Sequence, residues 1–292
     1  MLDAKFYDTL VRLRLSIGQK SSMSMSGNRK SVQKGSSAEF SDFREYMAGD
    51  DIRRIDWNAY ARLDKLFIKE YMEEKEAVVS ILIDTSASMN YGEQKKSDLA
   101  LSIAAALSYL ALSGMDRVIV YDMKRMASPF MVTGGKKGYP RLLKWLEQLS
   151  FEGAADIHTA IRQMALKGPG MTILISDFLT EGMVNGPEDE IEKIMKYLDY
   201  RRQKAVMLHV MAGEELEIGL SGTYNLIDME DQDQLRITMD AESIRDYQKG
   251  LDSFLNKLKR ICRKTGSSYV LCSTAKDLYQ LIFEDLRILY DI

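Results

Sequence analysis

The stretch Val78-Val79-Ser80-Ile81-Leu82-Ile83-Asp84-Thr85-Ser86-Ala87-Ser88-Met89 decides the fold. Its first half is a short apolar run. Its second half opens at once with an acid and places hydroxyls at alternate positions. A run of this length, apolar on both faces and ended by polar turn residues, predicts a strand buried on both sides. Downstream the pattern repeats with helical segments between the strands. The spacing predicts a helix over 96–112, a strand over 117–123, a short edge strand near 129–132, helices over 139–149 and 157–166, and a strand over 171–178. A helix over 188–202, a strand over 205–211, a helix over 241–264, a strand over 268–272 and a helix over 276–290 follow. Apolar strands separated by helices of ten or more residues imply an α/β fold whose mostly parallel sheet carries helices on both faces. Residues 224–239 break the rhythm and read as a hairpin around the acidic turn Glu230-Asp231-Gln232-Asp233.

Upstream of Val78, Leu2, Phe6, Leu10, Leu13 and Ile17 recur at spacings of three and four, the pattern of an amphipathic helix that must dock on something. Residues 18–37 are rich in Ser, Gly, Lys and Asn and read as a linker. Leu66, Ile68 and Met72 alternate with polar residues, as in a strand leading toward Val78. The expected organisation is an N-terminal helix and linker over 1–37, a segment over 38–76 packed on the main domain, and the α/β domain over 77–292.

Composition narrows the function classes. The chain has 292 residues, of which 28% are charged, with a net charge of only -3, so no general nucleic-acid surface is indicated. Cys262 and Cys272 are too few for a disulfide framework or a four-thiolate metal site and read as small apolar fillers. With no leader pattern at the start, these features lead to the expectation of a cytoplasmic protein. The longest apolar stretch, Leu101 to Gly114, is interrupted by serines and falls short of the roughly 20 residues that span a bilayer, so no membrane span is expected. Gly134-Gly135-Lys136-Lys137-Gly138 lacks the spacing and downstream hydroxyl of a phosphate loop. His209 sits inside an apolar strand and reads as a core residue, and His158 reads as part of a helix start.

In open α/β sheets, ligands bind beyond the carboxyl ends of the strands. Two ends stand out. One carries Asp84 followed by Ser86 and Ser88, and the other carries Ser176-Asp177. These are hard oxygen donors suited to Mg²⁺ or Mn²⁺, with few enough charges to leave the ion electrophilic. The same residues also suit a simpler role, with Asp84 capping its turn and the serines satisfying strand-end backbone groups. A phosphohydrolase on such a sheet would want an acid/base carboxylate two residues after a nucleophilic aspartate. Ser86 stands there instead, so a non-catalytic module is expected.

Ile81-Leu82-Ile83-Asp84-Thr85-Ser86-Ala87-Ser88-Met89 resembles the metal-ion-dependent adhesion site of von Willebrand factor A domains, and the run ending in Asp177 resembles that family's second acidic strand end. The family usually completes the site with a threonine in a Gly-Gly-Thr segment. Here the matching stretch is Gly153-Ala154-Ala155-Asp156-Ile157, so Ala155 replaces the threonine, and water or Asp156 would have to compensate. Upstream, Glu39-Phe40-Ser41-Asp42-Phe43-Arg44-Glu45-Tyr46, Gly49-Asp50-Asp51-Ile52-Arg53-Arg54-Ile55-Asp56-Trp57 and Ala61-Arg62 resemble the signature of a bacterial family of von Willebrand factor A-like proteins associated with MoxR-type AAA+ ATPases. The two resemblances together span roughly residues 35–290. They imply a metal-dependent adaptor that works with such an ATPase on a protein client, with an acid from the partner completing the metal site. A scaffold with an empty, degenerate site is the alternative. Arg44, Asp50, Arg53, Arg54, Asp56, Trp57 and Arg62 would form either a structural clasp or a docking surface.

Overall fold

The computed structural model describes residues 4–16, 39–72, 77–179, 188–219, 222–227 and 234–291. In chain order the elements are α1 (Ala4–Leu10), β1 (Arg14–Leu15), β2 (Glu39–Glu45), α2 (Trp57–Leu63), β3 (Phe67–Met72), β4 (Val78–Ile83), α3 (Lys96–Ser113), β5 (Arg117–Asp122) and β6 (Phe130–Val132). Then come α4 (Tyr139–Leu146), α5 (Ile157–Gln163), β7 (Gly170–Ser176), α6 (Glu188–Tyr200), β8 (Gln203–Met211), α7 (Gly213–Leu216), β9 (Gly222–Ile227) and β10 (Gln234–Met239). The chain ends with α8 (Ala241–Lys264), β11 (Ser268–Ser273), α9 (Leu278–Phe283) and β12 (Tyr290–Asp291). Ile17, the expected linker and the acidic turn at 230–233 lie outside the described residues.

Two compact units are present: residues 1–20 together with 77–292, and residues 21–76. In the larger unit a six-stranded sheet runs in the order β11-β8-β7-β4-β5-β6 among the described residues. All its neighbours are parallel except the edge strand β6, which pairs antiparallel with β5 over Val118–Val120. The architecture is therefore mixed α/β, with a mostly parallel central sheet between helices. Side-chain alternation explains the layers. Val79, Ile81 and Ile83 of β4, with Ile173 and Ile175 of β7, pack on one face against α3, through residues such as Ile103 and Leu107. Leu82, Leu174 and Met207 pack on the other face against Ile161 of α5, Met195 of α6 and Leu258 of α8. The helix α3 is rich in Ala and Leu and is buried on most sides.

The N-terminal amphipathic helix docks on this core. Phe6, Leu10 and Leu15 join the cluster around α3, and β1 pairs with β12 at the far end of the chain. The expected hairpin at 224–239 is the antiparallel pair β9–β10. Helix starts follow local chemistry: Asp156, Asp240 and Asp277 accept backbone N–H bonds at the starts of α5, α8 and α9. In the smaller unit, β2 and β3 pair antiparallel with an irregularity between Phe40 and Asp42. There Asp56 caps α2 by accepting from the N–H groups of Asn58 and Ala59.

Candidate functional site

The chain leaves β4 toward β5 on one side and returns to β7 on the other, so the carboxyl ends of β4 and β7 flank the point where the winding reverses. Asp84 and Asp177 follow directly on these two strands. The Asp84 N–H donates to the Ile175 carbonyl at 2.9 Å, which pins the end of β4 to β7. The Asp84 carboxylate accepts from the Ser86 N–H at 2.9 Å through Oδ1 and from the Ser176 hydroxyl through Oδ2. Ser176 in turn accepts from the N–H of Phe178, a non-glycine residue held at a φ of 54°. The Ser86 and Ser88 hydroxyls lie 3.0 Å apart. Asp84, Ser86 and Asp177 are each almost wholly buried, whereas Ser88 is half-buried, so the cluster opens toward solvent on the Ser88 side.

Burial raises the Asp84 carboxyl above its ordinary value, and the neighbouring Asp177 charge raises it further, against the hydrogen bonds from Ser176 and Ser86. Two buried carboxylates and two hydroxyls near the switch point are hard oxygen donors, the type that small divalent ions take. Among the described residues no group of three or more His, Cys, Asp or Glu is placed to hold a metal ion.

Several members of the site were not anticipated. The Lys96 ammonium, on the first residue of α3, lies 2.8 Å from Asp177 Oδ2 and 2.8 Å from Glu215 Oε1, and Lys96 is only 1% exposed. Burial by itself would depress that ammonium, but the Asp177 and Glu215 carboxylates outweigh burial and hold it above its ordinary value. A third strand-end acid, Asp122 of β5, accepts from the Thr85 hydroxyl at 2.6 Å. Its signal was the one used for Asp84, an acid closing an apolar run.

Asp156 caps the start of α5. It accepts from the His158 N–H at 2.9 Å and from the Thr159 hydroxyl, and these bonds hold its carboxyl below the usual range despite partial burial. The segment before it does reach the loop after β4: Glu152 N–H donates to the Thr85 carbonyl and Ala87 N–H donates to the Gly153 carbonyl. Ala155 packs its methyl against the core beneath α5. His209 is fully buried, with Nδ1 2.9 Å from the Tyr269 hydroxyl. Burial lowers its pKa to about 4, so it is a neutral core residue at neutral pH. Burial pushes the Cys262 and Cys272 thiols up to about 12, in keeping with apolar filling.

In the smaller unit the signature residues hold local turns. Arg44 pairs with Asp50 at 2.9 Å, and Asp50 also accepts from the Met47 N–H. Asp51 accepts from the Arg53 N–H, and Arg62 Nε donates to the Asn58 carbonyl. Trp57 is 62% exposed with its ring edge-on to Tyr60. The Arg54 side chain lies outside the described residues.

The chain is 25% identical over 285 residues, 94% of its own length and 87% of the relative's, to the uncharacterized protein Rv1480 of Mycobacterium tuberculosis. Among solved structures it resembles the conserved hypothetical protein BatB of Bacteroides thetaiotaomicron, at 15% identity and a TM-score of 0.39, covering 73% of this chain and 98% of that one. A second, from Bacteroides fragilis, is described as an aerotolerance-related membrane protein, at 15% identity and a TM-score of 0.38, covering 73% and 99%. That description corrects the expectation of a cytoplasmic protein. Scarce cysteines report on disulfide chemistry and the opening residues on export, and neither decides whether a folded α/β domain works at a bilayer. No helix among the described residues is long and apolar enough to cross a membrane. The family match covers residues 42–253, from within β2 to the middle of α8, and by it the chain belongs to the family described as protein of unknown function DUF58.

Proposed function

We propose that this protein is a von Willebrand factor A-like, non-catalytic interaction module that binds a partner through a divalent ion, Mg²⁺ or Mn²⁺, held by Asp84, Ser86, Ser88 and Asp177. The observation that carries this reading is the pair of buried carboxylates at the switch point, with Asp84 pushed up by burial and by its neighbour's charge. A bound cation relieves that cost. When bound, the ion supplies open, electrophilic positions for a carboxylate from another molecule. The chain's own residues do the rest: Ser176 and the Ser86 N–H orient Asp84, and Thr85 on Asp122 fixes the loop between them. Ser86, at the position where an acid/base carboxylate would be required, supports binding rather than hydrolysis. With the signature over Glu39–Arg62, the reading extends to an adaptor working with a MoxR-type AAA+ ATPase in remodelling or maturation of a protein client.

A second reading, a structural scaffold that needs no metal, is favoured by one observation: the Lys96 ammonium already neutralises Asp177. Thermal unfolding across a Mg²⁺ and Mn²⁺ titration, with a chelator blank, separates the two. A ligand that binds only the native state stabilises it by about 2.7 kcal/mol at 100 times its dissociation constant. The metal reading expects a saturable shift in wild type that is lost in Asp84→Ala. No shift up to millimolar metal would leave the scaffold.

A further inference from the structure

Lys96 is the site's unusual member. A lysine is seldom buried without partners, and this one is held by two carboxylates from different elements, Asp177 after β7 and Glu215 on α7. Each carboxylate is separately anchored. Asp177 Oδ1 accepts from the Leu179 N–H at 3.2 Å, and Glu215 Oε2 accepts from the Ala212 N–H at 2.7 Å. The loop that delivers Lys96 is tied to the same short helix, because the Glu93 N–H donates to Glu214 at 3.0 Å. Gly92, at a φ of 102°, comes so close to Ala212 that an added Cβ would meet the Ala212 Cβ at 3.0 Å.

Asp177 thus faces two rival cations, the ammonium now on Oδ2 and the divalent ion of the proposed site. We propose that Lys96 is a tethered counter-cation that competes with the divalent ion for Asp177, and that Glu215 retains the ammonium when Asp177 turns to the ion. This inference rests on the metal-binding reading and adds its regulation. Lys96 offsets the Asp177 charge while no metal is bound, and it lowers metal affinity by its own charge. The affinity of the site is therefore set by the position of α7 and the 91–95 loop, through their hold on Lys96.

The test is isothermal titration calorimetry with Mg²⁺ and Mn²⁺, backed by Mn²⁺ electron paramagnetic resonance, on the full chain as wild type, Lys96→Met and Glu215→Gln, with circular dichroism as a check on folding. Lys96→Met removes the rival charge and is expected to tighten metal binding about tenfold or more, since like charges repel strongly in a buried site. Glu215→Gln leaves the ammonium with Asp177 alone and is expected to weaken binding several-fold. A merely structural lysine predicts the opposite sign for Lys96→Met, because losing it would disorder Asp177. Weaker or unchanged binding in folded Lys96→Met, with wild-type binding intact, overturns the competition and leaves the metal site standing. Binding by Lys96→Met where wild type binds nothing supports the competition directly. Absence of binding in all three sinks the metal reading and the competition with it. Should Lys96→Met fail to fold, unchanged or tighter binding by Glu215→Gln overturns the proposal.

Discussion

At Asp84, burial and the Asp177 charge hold the carboxyl above its ordinary value of 3.8. A carboxyl raised in the folded state contributes stability that is complete below the unfolded value and is lost as the pH rises through the folded one. Above that ordinary value, metal-free wild type therefore bears a cost for burying this carboxyl. Asp84→Asn removes it, so in chelator this variant is expected to melt above wild type, by about 2 to 4 °C for each kcal/mol recovered. The difference between the two should shrink as the pH is lowered toward the ordinary carboxylate range, and the variant should show no metal response. Differential scanning calorimetry at several pH values checks all three. Ala155 makes a complementary case, because it stands where the resemblance expects a hydroxyl donor and is only partly buried. Ala155→Thr is expected to tighten Mg²⁺ binding several-fold by calorimetric titration, and unchanged affinity would mean that the 152–156 segment does not supply a ligand.

Among the elements, α5 is a short helix whose start depends on the Asp156 cap. Asp156→Ala is expected to cost about 0.5 to 2 kcal/mol in urea unfolding. Because both Asp156 oxygens are taken by α5, metal affinity should stay near wild type, which separates a capping role from a ligand role. In the smaller unit α2 also begins on an aspartate cap, but its Trp57 is 62% exposed. Trp57→Ala is accordingly expected to change stability by on the order of 1 kcal/mol or less. A larger loss in the same denaturation experiment would show that the indole is covered in solution. Phe43, Met47, Ile52 and Leu63 are exposed on this unit too.

For the whole molecule, the two chain ends are tied into one fold. Phe6, Leu10 and Leu15 enter the core around α3, β1 pairs with β12, and the Ser16 N–H donates to the Leu289 carbonyl at 2.7 Å. Each buried apolar side chain of this kind contributes about 1.5 to 3 kcal/mol. Deleting residues 1–16 is expected to lower the melting temperature by several degrees or more, and an unchanged melting temperature would show that the end-to-end pairing adds nothing. Much of this architecture was legible in the chain. Apolar runs at strand length, helical spacing between them, acids closing the runs at Asp84 and Asp177, and the hairpin at 224–239 are local patterns, written by the need to bury alternating side chains and satisfy the backbone. The rest was not local. Lys96 stands 81 residues from Asp177 and 119 from Glu215, and a lysine opening a helix among polar neighbours reads as solvated. Only packing α3 across the parallel sheet carries that ammonium into the interior, where the cost of desolvating it makes two distant carboxylates its obligatory partners.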